Sequence, residues 1–297
     1  MLSSTPSRDR LSVPERQALA QAVHESYMEV FPSASVEHRL QVLEPRSYVA
    51  ITCSPTHGVD ATLELTGRVV RRGFRVVPHV AAKSVRDHGH LRDIVRRLAD
   101  LGVDSLFVPG GDTGRPLGPY STAAQLLRDL AALDHPFRHI GVAAHPEGHP
   151  SVDPETLLQE LAAKQAFANY LVTQMCFNAS VLAAWLRLIR ARGITMTAWI
   201  GLPGVFDRAA LLAASLRIGV GASLRLLRDR GRLIGRLFGP KVYRPDAFLH
   251  ELAPQLADPA QGIAGFHIFC FNRVEQSEHW RRQFVAGLQQ GHAVAAP

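Results

Sequence analysis

Cysteine is scarce in this chain: there are three among 297 residues, and none sits in a CxxC pair. That excludes a disulfide framework, fits a reducing compartment and sets the expectation of a cytoplasmic protein. Long apolar runs are also missing. The longest are strand-length and are interrupted by Arg, His or Pro, so no membrane span is expected. The start, Met1-Leu2-Ser3-Ser4-Thr5-Pro6, has no apolar segment of the kind a signal peptide needs. Aromatic residues make up 7% of the chain, and no aromatic-interleaved basic sheet, zinc finger or recognition helix accompanies the arginines. A nucleic-acid partner is therefore not expected, although 33 Lys+Arg against 26 Asp+Glu leave a formal charge of +7. Pairs such as Arg71-Arg72 and Arg96-Arg97, and the series from Arg225 to Arg236, have the helical spacing of solvated faces. A mildly positive enzyme that handles small anions needs no more charge than this.

What is present is core-forming material, 46% hydrophobic against 20% charged. The length admits two ordinary domains or one large barrel. Eight apolar, β-branched or aromatic runs decide between them: Tyr27 to Phe31, Tyr48 to Cys53, Phe74 to Val80, Ser105 to Val108, His139 to Ala144, Tyr170 to Phe177, Thr195 to Leu202 and Phe266 to Phe271. Little polar alternation runs through them, which suits parallel strands buried on both faces. Between them, Ala61 to Arg72, Val85 to Leu101, Ser121 to Leu133, Pro154 to Phe167 and Ala179 to Arg192 place apolar residues at i, i+3 and i+4. Asp153-Pro154 supplies a start signal, while Gly102 and Gly193 stop the helices before them.

The alternation predicts an α/β protein, a single (β/α)8 TIM barrel over residues 25–297 with a lead-in over residues 1–24. The lead-in includes a short helix opening at Ser12-Val13-Pro14-Glu15. The longest interval lies between strands seven and eight. Extra helices are expected there over Asp207 to Leu216, Ala222 to Arg230 and Tyr243 to Leu256.

Barrel enzymes carry their chemistry at the C-terminal ends of the strands. Those positions hold Glu29, Thr52, His79, Asp112, His145 with Glu147 and His149, Gln174, and Asn272-Arg273. A strand end can equally hold a hydrogen-bonded structural His or Asp, so the convergence counts for more than any one residue. No metal site is expected at His145-x3-His149, because Pro146 and Pro150 break any helix that would align the rings.

The same residues carry a resemblance. Glu29-Val30-Phe31-Pro32, Thr52, Pro78-His79, Gly110-Gly111-Asp112, the run Ala143 to Pro150 (AAHPEGHP), Thr173-Gln174, and Phe266-His267 with Asn272-Arg273 stand in an order and spacing that resembles the methylenetetrahydrofolate reductase family. The resemblance covers the chain from about Glu15 onward. It implies a hydride passed from NADH or NADPH through FAD to 5,10-methylenetetrahydrofolate, giving 5-methyltetrahydrofolate for methionine biosynthesis.

On that resemblance Glu29 is the general acid, expected to lie against an apolar barrel mouth that raises its pKa, and Asp112 is the second catalytic carboxylate beside the flavin. Thr52, His79, Gly111, Asp112, Tyr120, His145, His149 and Lys164 would contact FAD. Gln174 would bind the pterin, Phe271 the p-aminobenzoate ring and Arg273 the glutamate tail. The expected partner is a small-molecule folate, and a homo-oligomer is compatible with the family.

The departures cluster at the cofactor. The family's Arg-Gly-Asp reads Gly110-Gly111-Asp112, its Tyr in AAYPE is His145, and the glycine of its Ala-Gly-Ala turn is Phe167. Thr156, Gln159, Ala162 and Ala163 stand where phosphate-facing polar residues are usual, and Lys164 matches only with a one-residue shift. FAD binding weaker than the family standard, or none, follows. The alternatives are then a flavin-independent folate oxidoreductase or a non-catalytic folate-binding barrel.

Overall fold

The computed structural model describes residues 11–53, 56–111, 114–207, 210–211 and 242–290. Its centre is an eight-stranded parallel sheet of β1 (Tyr27–Val30), β2 (Tyr48–Ile51), β3 (Arg75–Pro78), β4 (Ser105–Val108), β5 (His139–Ala144), β6 (Tyr170–Thr173), β7 (Thr197–Pro203) and β8 (Ile263–Phe269). Strands adjacent in sequence pair with one another except β3 with β4, and β1 also pairs with β8. The remaining seam, between β3 and β4, is joined by a single parallel bridge, His79 to Phe107. There the Val80 amide donates to the Phe107 carbonyl at 2.9 Å. The result is a nearly closed (β/α)8 TIM barrel, as the strand and helix alternation predicts.

The helices are set by local chemistry. α1 (Val13–His24) starts in a capping box formed by Ser12 and Glu15. A one-turn α2 (Val36–Arg39) follows β1, and α3 (Gly58–Arg71) follows β2. Asp87 caps α4 (His88–Asp100), Thr122 and Gln125 box α5 (Ala123–Ala131), Asp153 caps α6 (Pro154–Lys164), and Asn178 caps α7 (Ala179–Ala191). Gly102 and Gly193, at φ +68° and +77°, end α4 and α7 in the left-handed conformation that glycine tolerates.

Of the extra helices expected before β8, Asp207 to Leu216 lies mostly, and Ala222 to Arg230 wholly, outside the described residues. The third is present as α8 (Asp246–Ala257), and a two-residue antiparallel ribbon joins Phe206–Asp207 to Val242–Tyr243. One further helix, α9 (Val274–Gln290), has no counterpart among the expected elements. Its polar positions hide its period, because Glu278 and Arg281 are buried beside Trp280 and paired at 2.6 Å.

The core has two parts. The larger lies between strands and helices, and α1 contributes Leu19 and Val23 to it, so the lead-in packs on the barrel body. The smaller fills the barrel interior with Tyr27, Ala50, Val77, Phe107, Tyr170 and Val172, packed against Tyr48, Ala143 and Trp199. Strand alternation produces this second set, since every other residue of each strand points inward. Tyr27 stacks between Tyr48 and Trp199, with ring centroids at 4.8 and 4.1 Å. Glycine makes room opposite the large rings. A Cβ on Gly141 would lie 2.2 Å from the Tyr170 ring, and one on Gly265 would lie 2.7 Å from Trp199.

Gly141→Ala is therefore expected to destabilise the fold by about 1–3 kcal/mol through overpacking. Gly287→Ala, on the exposed face of α9 with nothing within 4 Å of the added carbon, is expected to raise stability by about 0.5–1 kcal/mol. Urea unfolding of the two variants beside the wild type checks both signs.

Candidate active site

Glu29, His79 and His267 meet inside the barrel at the strand ends. Glu29 is the third residue of β1, His79 follows β3, and His267 lies in β8 two residues before Phe269. Period-two alternation turns all three inward. His267 Nε2 lies 2.9 Å from Glu29 Oε2, and His79 Nδ1 lies 4.0 Å from the same oxygen. The imidazole side chains are 2% and 5% exposed and the carboxylate 16%, so Glu29 is the member of the cluster that reaches toward solvent. The expected apolar surround of Glu29 is thus replaced by two imidazoles, because the inward positions of β8 and of the loop after β3 carry His. Burial, together with the neighbouring His267, holds the His79 pKa well below the ordinary imidazole value, so it is neutral at pH 7. Cys270 donates its thiol to the Glu29 carbonyl, and burial raises its pKa to about 12, which leaves it inert as a nucleophile.

The loop after Glu29 is held from the far end of the chain. The Asn272 side-chain carbonyl accepts from the Phe31 amide at 2.9 Å, while its NH2 donates to the Phe31 carbonyl and to Ser33 Oγ, each at 3.0 Å. Phe271 and Asn272 both adopt positive φ, +47° and +62°, to make that turn. Phe271 packs edge-on against Phe206 at 5.4 Å, and the Arg273 guanidinium lies 5.4 Å over the same Phe206 ring. Arg273 also pairs with Asp207 at 3.2 Å. Phe206 and Phe271 join Met175, Phe177 and Tyr243 in an apolar cluster beside the mouth. The Arg273–Asp207 pair is exposed and contributes little to stability, so exchange for another carboxylate is inexpensive. Gln174, just past β6, takes the Met175 amide on its side-chain oxygen at 2.9 Å.

The residues expected around FAD divide into groups. Thr52 continues the β1–β2 ladder, its amide donating to the Val30 carbonyl at 2.9 Å. Gly111 has φ +98°, with its absent Cβ 3.2 Å from Ala81, so the turn itself requires glycine. Asp112 lies outside the described residues. Tyr120 is buried, and its hydroxyl donates to Asp129 at 2.8 Å, which turns it toward α5. His145 and Lys164 line a groove of about 580 Å³ between the end of β5, α6 and α7, whose walls include Leu157, Leu161, Trp185 and Leu188. His149 stands edge-on to His145 at 5.1 Å and accepts from the Ser151 amide. Glu147, another groove residue, receives the Phe177 and Asn178 amides at 2.8 and 3.0 Å and so anchors the start of α7.

The groove suits a flat apolar group, but its charge opposes a pyrophosphate. Among its described lining residues Lys164 is the one cation, against the carboxylates of Glu147 and Glu160, and Lys164 already pairs with Glu160 at 3.5 Å. His145 adds no charge at pH 7. Burial, with the nearby His149 and Lys164, lowers its pKa to about 4.

His267 is the site residue that inspection of strand ends alone passes over. It stands within β8 rather than at its end, and the inward parity it shares with Phe269 is the signal that would have found it.

A family comparison bears on this geometry: residues 33–210, more than half of the chain, match the model described as methylenetetrahydrofolate reductase. The chain belongs to the methylenetetrahydrofolate reductase family. The match runs from the loop after β1 to just past β7 and so takes in most of the strand ends described above. The family is a folate-related TIM-barrel family whose members generally bind FAD. Solved structures add only the fold. A GH18 chitinase from Cycas revoluta, solved with (GlcNAc)3, is 10% identical at TM-score 0.51, covering 89% of this chain and 99% of its own. Oxaloacetate acetylhydrolase, solved with 3,3-difluorooxalacetate, is 10% identical at TM-score 0.50, covering 96% and 89%. At such identities the likeness to these barrels extends to the backbone and no further. Among the described residues no helix is long and apolar enough to cross a membrane.

The lowered pKa of His145 has a consequence for stability. Between about pH 6.5, the ordinary value, and about 4, the unfolded chain binds a proton that the folded protein does not. Stability from this group is full above that window and falls as the pH drops through it. Replacing His145 with Gln should therefore flatten the fall in melting temperature between pH 6.5 and 4, measured by circular dichroism.

Proposed function

We propose that this protein is a folate one-carbon oxidoreductase that reduces the methylene bridge of 5,10-methylenetetrahydrofolate, with Glu29 as proton donor and NADH or NADPH as the source of hydride. The observation that carries the reading is the Glu29–His267 contact at 2.9 Å, set at the open end of a barrel of the methylenetetrahydrofolate reductase family.

The chemistry needs a placed proton. Opening the bridge breaks the bond between the methylene carbon and N10, and the proton goes to N10, an arylamine nitrogen of low basicity. The N5 iminium left behind then accepts hydride at its carbon. A carboxyl within hydrogen-bond reach of N10 supplies the proton, and such general acids contribute roughly 10²–10⁴ in rate. His267 Nε2, 2.9 Å from Glu29 Oε2, fixes the direction of the carboxyl. Neutral His79 adds no positive charge that would repel the iminium. Gln174 would meet the pterin edge, which pairs donors with acceptors. Phe271 offers a ring face to the aminobenzoate, and Arg273 can leave Asp207 for the glutamate carboxylate.

The hydride carrier is a separate matter. The family implies FAD, yet the two carboxylates and one paired cation among the described lining residues of the groove do not fit its pyrophosphate. This charge balance favours a second reading, in which the dihydronicotinamide passes hydride directly to the iminium carbon.

Glu29→Gln is expected to lower folate reduction by about 10²–10⁴-fold with folate binding retained, measured by steady-state kinetics and equilibrium binding. A variant within tenfold of wild-type kcat would remove Glu29 from the role. Purified protein incubated with FAD and desalted should show little flavin absorbance, and turnover of methylenetetrahydrofolate with NADH should proceed without added flavin. Tight flavin uptake, with turnover that requires it, would return the flavin-mediated route. Folate binding with no turnover under either condition would leave a binding barrel.

A further inference from the structure

His79 is chemically incomplete. Its side chain is 5% exposed, its Nε2 is buried without a hydrogen-bond partner, and its Nδ1 stands 4.0 Å from Glu29, beyond hydrogen-bond range. His267 likewise has a buried Nδ1 with no partner, while its Nε2 points at the same carboxylate. The orphaned nitrogens are the ones turned away from the carboxylate; the atoms that converge on Glu29 Oε2 are His267 Nε2 and His79 Nδ1. One donor atom from each of Glu29, His79 and His267 falls within 4.8 Å of the others.

Two imidazole nitrogens and one carboxylate oxygen form the donor set of open metal sites, which accept borderline divalent ions and keep positions for water or substrate. Bonds of 2.0–2.2 Å in a tetrahedral arrangement set donors roughly 3.3–3.5 Å apart. The observed separations to Glu29 Oε2 are 2.9 and 4.0 Å and all three donors lie within 4.8 Å of one another, so a bound ion would draw the donors closer together on the side of His79. The donors come from β1, β8 and the residue after β3, so the barrel wall holds them on rigid elements, and the partly exposed Glu29 leaves the open side toward the mouth.

We infer that Glu29, His79 and His267 form a binding site for one divalent transition-metal ion of the zinc type, with Glu29 Oε2, His79 Nδ1 and His267 Nε2 as ligands. The inference does not depend on the proposed folate chemistry. A metal seated there takes the carboxylate oxygen that folate protonation would use, so the metal-loaded and folate-reducing states of one molecule exclude each other.

Titrating the full-length metal-free protein with Co²⁺, the spectroscopic substitute for zinc, tests the site. The expected result is a visible ligand-field band that saturates at one ion per chain and is displaced by Zn²⁺. Proton NMR of the cobalt-loaded wild type should then show hyperfine-shifted imidazole resonances from two histidines. His267→Ala and Glu29→Gln should each weaken Zn²⁺ binding at least about tenfold in equilibrium dialysis. His38→Ala, at an exposed position of α2, should leave it unchanged. Absence of a saturable band, shifted signals from a number of histidines other than two, or affinity unchanged by the Glu29 and His267 substitutions would overturn the assignment. The wild-type measurements decide the question even where a variant fails to fold.

Discussion

The barrel depends on closure. Seven of its eight seams are ladders of parallel strands, and the eighth is held at a single bridge between His79 and Phe107. A parallel sheet left open at that seam would present unpaired backbone groups to solvent. Closing it forces alternate side chains of every strand into one enclosed volume, where size and polarity must be matched. Aromatic rings opposite glycines fill most of that volume, and a polar trio occupies the end toward the mouth. His79 belongs to both the closing bridge and the trio, so the residue that completes the wall also faces the candidate chemistry.

Much of this was legible in the sequence because two periodicities were strong. β-branched and aromatic runs without polar alternation mark strands covered on both sides, and the observed strands fall on the eight expected segments, with ends shifted by a few residues. Caps such as Asp153 before Pro154 and stops such as Gly193 act as their chemistry predicts. α9 was less legible, since Glu278 and Arg281 sit on its buried side as a mutually satisfied pair, and a reading of apolar spacing does not count them. The site was half-legible for a related reason. Residues at strand ends announce themselves, whereas His267, although part of the motif that carries the resemblance, lies inside a strand, and its place beside Glu29 shows only when inward parity is followed down the barrel. The expectation of an apolar surround for Glu29 followed from that omission.

Charge illustrates the distance between composition and site. The formal +7 of the chain suggests affinity for anions, yet the described lining of the β5–α6–α7 groove carries more carboxylate than cation. Helix faces such as those of Arg72, Arg96 and Arg192 spend their guanidinium groups on surface partners, Glu37, Asp93 and Glu155. Net charge is a property of the whole surface, while a phosphate samples only the few ångströms around it.

The Asn272 amide gives the barrel a property that none of its strands has alone. By taking the Phe31 N–H and giving to the Phe31 carbonyl, it imitates a peptide group and adds one rung beyond the last backbone pair of β1 and β8. That rung ties the first strand of the barrel to the last, at the end where Glu29 and Arg273 stand. Arg273 follows Asn272 in the chain and Phe31 stands two residues after Glu29, so a single side-chain amide fastens together the two stretches of rim on which these residues sit, though 241 positions separate its partners in sequence.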